Sequence, residues 1–263
     1  MKRFIETIKN IFKIEELRKR IVYTILLLLV YRLGSYVVLP GIDPTQLANL
    51  KSQASTGLLG LLDMFSGGAF GNASIFALGV MPYISASIVI QLLGVMVPYF
   101  QRMQREGESG RRKMNQWTRY LTIVILLLQG PAYITNMHAQ LPASAFLVSG
   151  FSYNIFATIV LIAGTMFIMW LGERITDRGL GNGISLIIMV GIIARLPFAL
   201  VAEGAQRLSQ TTGGILMFII ELLVLFFIFV ACIAWVQGVR RIPVQYAKRV
   251  VGNKQYGGVR QYI

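Results

Sequence analysis

One cysteine, Cys232, and one histidine, His138, are all that the 263 residues hold of the side chains that most often bind metals or act as nucleophiles and bases. A single thiol forms no disulfide within the chain and no thiolate metal cluster. A single imidazole, with no carboxylate beside it in sequence, gives a zinc protease or a serine–histidine pair almost nothing to be built from. His138 is expected to be an interfacial loop residue. No glycine-rich phosphate loop of the Walker type occurs either. The expectation is therefore no enzyme, no metal site and no cofactor. Acidic residues are also scarce, 11 Asp and Glu against 25 Lys and Arg, leaving a net charge of +14.

What the chain has instead is apolar length. It is 55% hydrophobic and only 14% charged, and runs of about 20 mostly apolar residues, enough to cross a bilayer, recur along it. A soluble helix shows one apolar stripe, whereas a helix in lipid is apolar around its circumference. The pattern predicts an all-α, polytopic helical membrane protein with spans at Ile21 to Leu39, Ala73 to Val97, Tyr120 to Met137, Phe151 to Leu171, Ile184 to Val201 and Ile215 to Trp235. The first run lacks a small-residue cleavage site before Arg32 and Pro40, so it reads as a retained span rather than a signal peptide. Trp117, Trp170, Trp235, Tyr99 and Tyr120 fall at run ends, as interfacial aromatics do.

Lysine and arginine then assign sides. The N-terminal arm (residues 1–20), the loop after span 2 with Arg102, Arg105, Arg111, Arg112, Lys113 and Arg119, the turn after span 4 with Arg174 and Arg178, and the tail from Arg240 carry nearly all of them. Lys51, Arg195 and Arg207 fall on the other side. Short loops rich in these residues stay in the cytoplasm, so both ends, including residue 263, are expected there. The arm is also amphipathic, with Phe4, Ile5, Ile8, Ile11, Phe12 and Ile14 at helical spacing. The loop QRMQREGESGRRKMNQ and the tail RRIPVQYAKRVVGNK exceed what orientation requires and suit an acidic partner or RNA phosphates.

Charges within spans are costly in lipid and are functional by default. Arg32 and Glu221 are read as such, Arg32 with a fixed partner and Glu221 snorkelling or paired. An ion-coupled transporter would want several buried carboxylates. In span 2, Val80, Ile84, Ser87 and Gln91 share one helical face, bulky first and polar toward the cytoplasm. That order suits a wall beside a passage, and ordinary packing of small and polar residues explains it equally well. In front of span 2, Leu58 to Phe65 makes a helix of about 12 Å at most, far short of a hydrocarbon core of roughly 30 Å.

These stretches also carry a resemblance. IFALGVMPYISASIVIQLL, preceded by MFSGGA and followed by WLGERITDRGLGNGISL and RRIPVQYAKR, resembles the SecY family, the channel subunits of the bacterial Sec protein translocon. YRLGSYVVLPGID and NQWTRYLT agree in the same order. The resemblance implies two inverted halves closing around a central pore, of which this sequence carries the first half (21–201), an external loop with span 6 (202–236) and the start of a cytoplasmic basic docking loop (237–263). One half cannot complete such a pathway, so the 263-residue product alone is expected not to conduct. The resemblance further implies a pore ring of Val80, Ile84, Ile184 and Ile188. It implies an external plug at 58–66, with Leu58, Leu61, Leu62, Asp63, Met64 and Phe65, on a hinge of Gly67, Gly68 and Gly71. Ser85 and Gln129 match the lateral gate. Arg240, Arg241, Lys248, Arg249 and Lys254 match the loop that docks a translating ribosome or the SecA motor, although Asn253 and Lys254 stand where relatives often have a second arginine pair. Implied partners are SecE-like and SecG-like small membrane subunits, nascent secretory and membrane proteins, and the phospholipid bilayer of the bacterial cytoplasmic membrane. A solute transporter or a non-transporting scaffold is the alternative, and neither has a use for the short segment before span 2.

Overall fold

The structure, a computed structural model, describes residues 13–47, 57–148, 150–209 and 214–239, and four strand segments between 243 and 262. The helices are α1 (Glu15–Gly34), α2 (Gly57–Phe65), α3 (Met81–Met96), α4 (Pro98–Arg105), α5 (Glu108–Gln140), α6 (Phe151–Arg178), α7 (Gly183–Leu208) and α8 (Gly214–Gln237). Contacts divide the chain into two units at Phe198, inside α7.

Each helix follows from its local sequence. α1 opens with Glu15 and Glu16 in its first turn, where the helix dipole favours acids, and both pair four residues on, Glu15 with Lys19 and Glu16 with Arg20, each at 2.8 Å. It buries Thr24, Leu27 and Tyr31, and leaves Val22, Ile25, Leu26, Leu29 and Leu33 outward, the apolar circumference that lipid requires. α5, α6, α7 and α8 are each long and apolar enough to cross a membrane.

Span 2 differs from its expected form. Its helix starts at Met81, not near Ala73, because Pro82 in the first turn has no N–H to continue a helix from upstream, and because Ala73 (φ 45°) and Gly79 (φ 56°) turn the backbone left-handed. The sixteen residues of α3 are followed by a 97° bend into α4 at Val97 and Pro98. The turns between α2 and α3 are buried rather than lipid-exposed: Ala69, Phe70, Ala73, Ser74, Phe76 and Ala77 are all nearly inaccessible. α5 to α8 run past their expected ends, α5 by a dozen residues at its basic start and α6 to Arg178, whereas α1 starts early at Glu15 and stops at Gly34, short of Leu39.

In the first unit, α3 packs on α4 and α5, α4 and α6 pack on α5, and α1 packs on α6. One apolar cluster joins Leu39, Ile42, Phe70, Tyr133, Met137 and Leu161 at one end. A second joins Leu27, Tyr31, Phe76, Val80, Ile168 and Ile187, and Ile75 packs against both. The segment after α1 stitches that end together: Leu39 N donates to Ala73 O (2.8 Å), Ile75 N to Val37 O (3.0 Å) and Leu147 N to Gly41 O (3.0 Å). Outside the helices, Asp43 accepts from the Thr45 N–H and then its hydroxyl, which holds its carboxyl below the usual carboxylate range. The turn joining α6 and α7 is fixed by Thr24, whose Oγ1 accepts from Leu180 N (3.1 Å), and by Thr176, whose Oγ1 accepts from Gly183 N (2.9 Å).

In the second unit, Arg207 near the end of α7 bonds Glu203 (2.8 Å) and Glu221 of α8 (2.6 Å), so Glu221 is paired rather than loose in lipid. Beyond α8, four short strands form two antiparallel pairs: β1 (Pro243–Gln245) with β4 (Arg260–Tyr262), and β2 (Arg249–Val251) with β3 (Lys254–Tyr256). The tail expected as a loop is thus a nested pair of hairpin ladders.

Helix contact depends on glycine at α6. A Cβ on Gly164 would lie 2.1 Å from the Ile75 carbonyl oxygen, backbone that no rotamer change can move. Gly164→Ala is expected to cost about 1–3 kcal/mol of stability, read as an earlier thermal unfolding transition in detergent. An unchanged midpoint would show that α6 and the Ile75 segment separate freely.

Candidate functional site

The short helix α2 and the turns after it are where the polar chemistry of the first unit concentrates. α2 is nine residues, about 13 Å long. Leu62 is half-buried against the cluster around Phe70, whereas Met64 and Phe65 are exposed. The side chains of Leu58 and Leu61 lie outside the described residues. Asp63 is the exception in this apolar helix. Its side chain is 2% exposed, its Oδ2 is 2.5 Å from Arg195 Nη1 of α7, and its Oδ1 accepts from Gly71 N at 2.7 Å.

The following turn is held from several sides. Gly67 and Gly68 are left-handed (φ 65° and 92°), which glycine adopts without Cβ strain. Gly68 N donates to Asp63 O (2.8 Å), Arg32 Nη1 to Gly67 O (2.6 Å), Tyr31 OH to Ser66 O (3.2 Å) and Tyr133 OH to Phe70 O (2.9 Å). Arg32 also donates to Tyr36 OH (2.9 Å) and lies 5.0 Å from that ring's centre. Gly71, expected as part of a hinge, is tied by its N–H to Asp63. A Cβ on Gly67 would stand 2.8 Å from Gly191 Cα, so backbone meets backbone there.

Val80 lies at the N-cap of α3, buried, and its carbonyl accepts the first helical bond from Ile84 N (3.1 Å). Val80, Ile84 and Ile184 belong to one cluster, which also takes the fully buried Ile187. Ile188 is half-buried beside it in sequence. Ser87 and Gln91, the polar end of the same face of α3, bond each other at 3.1 Å. Ser85 and Gln129 come together: both line a cavity of about 320 Å³ between α3 and α5, with Leu62, Phe70, Tyr133 and Asn136.

Other expected sites are placed more simply. Arg240, Arg241 and Lys248 lie outside the described residues, while Arg249 and Lys254 begin β2 and β3. His138 is not in a loop: it sits in the last turn of α5, stacked on Phe146 with ring centres 4.1 Å apart, its Nδ1 2.9 Å from Ile134 O. Cys232 is exposed on α8. Among the described residues no three His, Cys, Asp or Glu side chains gather to hold a metal.

Sequence reasoning missed Arg195, Tyr31 and Ile187. Arg195 was counted with the exterior cations, yet its place inside the apolar run from Ile184 to Val201 was a visible signal of a buried partner.

Lipid-length helices packed around a short helix and buried irregular backbone define a polytopic helical membrane protein, of the class that keeps broken spans beside a cavity. The profile of the SecY family matches residues 74–263, and the chain belongs to that family. The protein translocase subunit SecY of Escherichia coli K12 is 46% identical over 246 residues, covering 92% of this chain and 54% of its own length. That of Buchnera aphidicola is 46% identical, with 92% and 68% covered, and that of Streptomyces coelicolor 42% identical over 262 residues, with 96% and 59% covered. The chain thus spans from about half to two thirds of these relatives. Two solved structures share the fold: a protein-conducting channel (17% identity, TM-score 0.54, 94% of this chain and 52% of that one) and Sec61 in the canine ribosome–channel complex from the endoplasmic reticulum (16%, 0.53, 92% and 53%). This is a multi-pass protein of the bacterial cytoplasmic membrane.

Two buried tyrosines test the hydrogen bonding. Tyr133→Phe leaves the Phe70 carbonyl without its donor and is expected to destabilise by about 1–3 kcal/mol. The Tyr153 hydroxyl is buried without a hydrogen-bond partner among the described residues, so Tyr153→Phe is expected to be neutral or stabilising in the same thermal assay. Equal losses from both would reject the assignment.

Proposed function

We propose that this chain forms one side of a protein-conducting channel, through which unfolded secretory polypeptides cross the membrane and from which transmembrane segments enter lipid. The observation that carries it is α2, a helix too short to span, seated in buried backbone beside the aliphatic cluster at the start of α3. Ser66 backs onto Gly79, the residue before Val80. Membrane depth tolerates such backbone where it is buried in protein or lines a cavity, and a stopper is buried when closed and mobile when open. α2, from Leu58 to the residue after Phe65, is the plug; Gly67, Gly68 and Gly71 form its turn. Val80, Ile84, Ile184 and Ile188 form the half-ring around the pore, where flexible aliphatics close on any sequence while offering ions no group to replace their water.

Ser85 of α3 and Gln129 of α5, on one cavity, form this side of the lateral gate, whose facing side comes from spans 7 and 8. Modest polar contacts of about 1 kcal/mol each can break there. The lysine and arginine distribution puts the N terminus and the tail in the cytoplasm and α2 at the exterior. The basic tail with Arg240, Arg241, Lys248, Arg249 and Lys254 docks a translating ribosome or the SecA motor, the former through rRNA phosphates. SecE-like and SecG-like subunits complete the complex. A solute transporter would want buried binding charges facing a substrate, and the buried carboxylate of α2 already has Arg195.

In the channel assembled with its opposite half, Ile84→Gly together with Ile188→Gly is expected to raise resting ion conductance several-fold, as is deletion of residues 58–66. Planar-bilayer recording that shows resting conductance unchanged in both would reject the ring and the plug. Charge reversal of Arg240, Arg241 and Lys248 is expected to weaken ribosome or SecA binding at least about tenfold at physiological salt. Unchanged affinity at physiological salt, measured by co-sedimentation, would remove the docking role.

A further inference from the structure

The apolar face of α2 does not explain why the helix stays in one place. Nine residues, two of whose large side chains are exposed, give a small and non-directional contact. Besides the phenolic donors Tyr31 and Tyr133, the directional contacts come from two cations on different helices. Arg195 of α7 meets the Asp63 carboxylate, and Arg32 of α1 donates to the Gly67 carbonyl at 2.6 Å.

We propose that Arg195 and Arg32 are positioning residues that clasp the plug in its seat, with the Asp63–Arg195 ion pair as the catch that must part before α2 can leave. The inference rests on the reading of α2 as a plug. Its geometry is specific. Asp63 is enclosed: besides Arg195, its Oδ1 takes Gly71 N and its carbonyl takes Gly68 N, so the carboxylate is built into the turn it stabilises. The Arg195 guanidinium lies close against that turn, and a Cβ on Gly68 would sit 2.8 Å from its Nη2. On the other side Gly67 touches Gly191, which brings α7 backbone against the turn. Arg32 is itself oriented by Tyr36.

The pair is asymmetric in exposure, Asp63 at 2% and Arg195 at 39%. A carboxylate stripped of its partner in a dry site is strongly unfavourable, whereas a partly exposed guanidinium can return to water. The catch therefore opens by Arg195 swinging outward while the plug carries Asp63 to a wetter place, and it recloses in one register. Fixing register is the best-attested use of a buried charge pair. Arg32, which binds a carbonyl rather than a charge, holds the turn in whichever register the catch selects.

The test uses the chain in lipid nanodiscs with Cys232→Ala and a reporter thiol, Ser66→Cys, buried in the seat (Ser66 is 3% exposed). The probe is a membrane-impermeant maleimide. Asp63→Asn or Arg195→Gln is expected to raise the labelling rate at least about tenfold. Arg195→Lys, which keeps the charge and loses the fork, is expected to raise it much less, and the Asp63→Asn/Arg195→Gln double variant no more than either single one. Unchanged labelling in both single variants, or a double variant that equals the product of the two, would overturn the proposal. A second reporter, Thr122→Cys, fully buried in α5, separates seating from unfolding: it is expected to stay unlabelled, and a matching rise there would overturn a role confined to the plug. Raised labelling at Ser66→Cys with unchanged ion conductance in the assembled channel would remove the seal reading of α2 and leave the clasp standing.

Discussion

A peptide group at membrane depth has no water to turn to, and between residues 57 and 80 this chain meets that constraint without a spanning helix. Each turn there is closed by protein. Asn72 N donates to Gly68 O, Ser74 N to Ala69 O and Gly79 N to Phe76 O. Ser66 Oγ takes Phe70 N, and Ser74 Oγ takes Phe76 N. The carbonyls of Ser66, Gly67 and Phe70 are met by Tyr31, Arg32 and Tyr133 from α1 and α5. The surrounding helices are placed by this need: α1 must bring two donors to one turn, α5 one, and α7 a guanidinium.

Close approach does the rest. α6 comes against the Ile75 backbone only because Gly164 has no side chain, and Gly172 meets Gly183 in the same way, where a Cβ on Gly183 would lie 2.0 Å from the Gly172 oxygen. With little hydrophobic force between helices in lipid, contacts of this kind, small residue against backbone, supply the packing. They also explain why Ile75 can belong to both apolar clusters: it sits where the irregular segment crosses from the Phe70 side to the Val80 side.

The lipid-facing architecture was legible in the sequence because its cause is local. Apolar circumference over a bilayer's thickness marks α5, α6, α7 and α8, and eight residues between polar punctuation mark α2. What was not legible depends on contacts distant in sequence. Pro82 and Gly79 were visible, but that the backbone from Ala73 to Val80 would turn rather than coil depends on burial against α1 and α6. Arg195 looked like one more exterior cation because its partner lies 132 positions earlier, on a helix whose own pattern is apolar. His138 looked like a loop residue because the end of α5 is polar, and the ring of Phe146 that stacks on its imidazole lies beyond the helix. The tail's ladders went unseen since three-residue strands have too few alternations to register.

Two seams of different stiffness meet at Leu62. On one side α2 and its turn are fixed by an ion pair and by charged and phenolic donors to backbone. On the other, α3 and α5 leave a cavity of about 320 Å³, room for several waters at roughly 30 Å³ each. Among the described residues neither Ser85 nor Gln129 bonds across it, and the bond from Gln91 to Ser87 stays within α3. An apolar segment laid against that void gains dispersion contacts that its walls lack, and no charge is stranded. Parting α2 from α7 breaks the ion pair that the buried Asp63 carboxylate makes with Arg195. On the proposed reading of these places as gate face and plug seat, the order of events follows: the gate face is engaged first. Because Leu62 and Phe70 line the same cavity, an apolar segment entering there presses on the plug turn before the Asp63–Arg195 contact has to break.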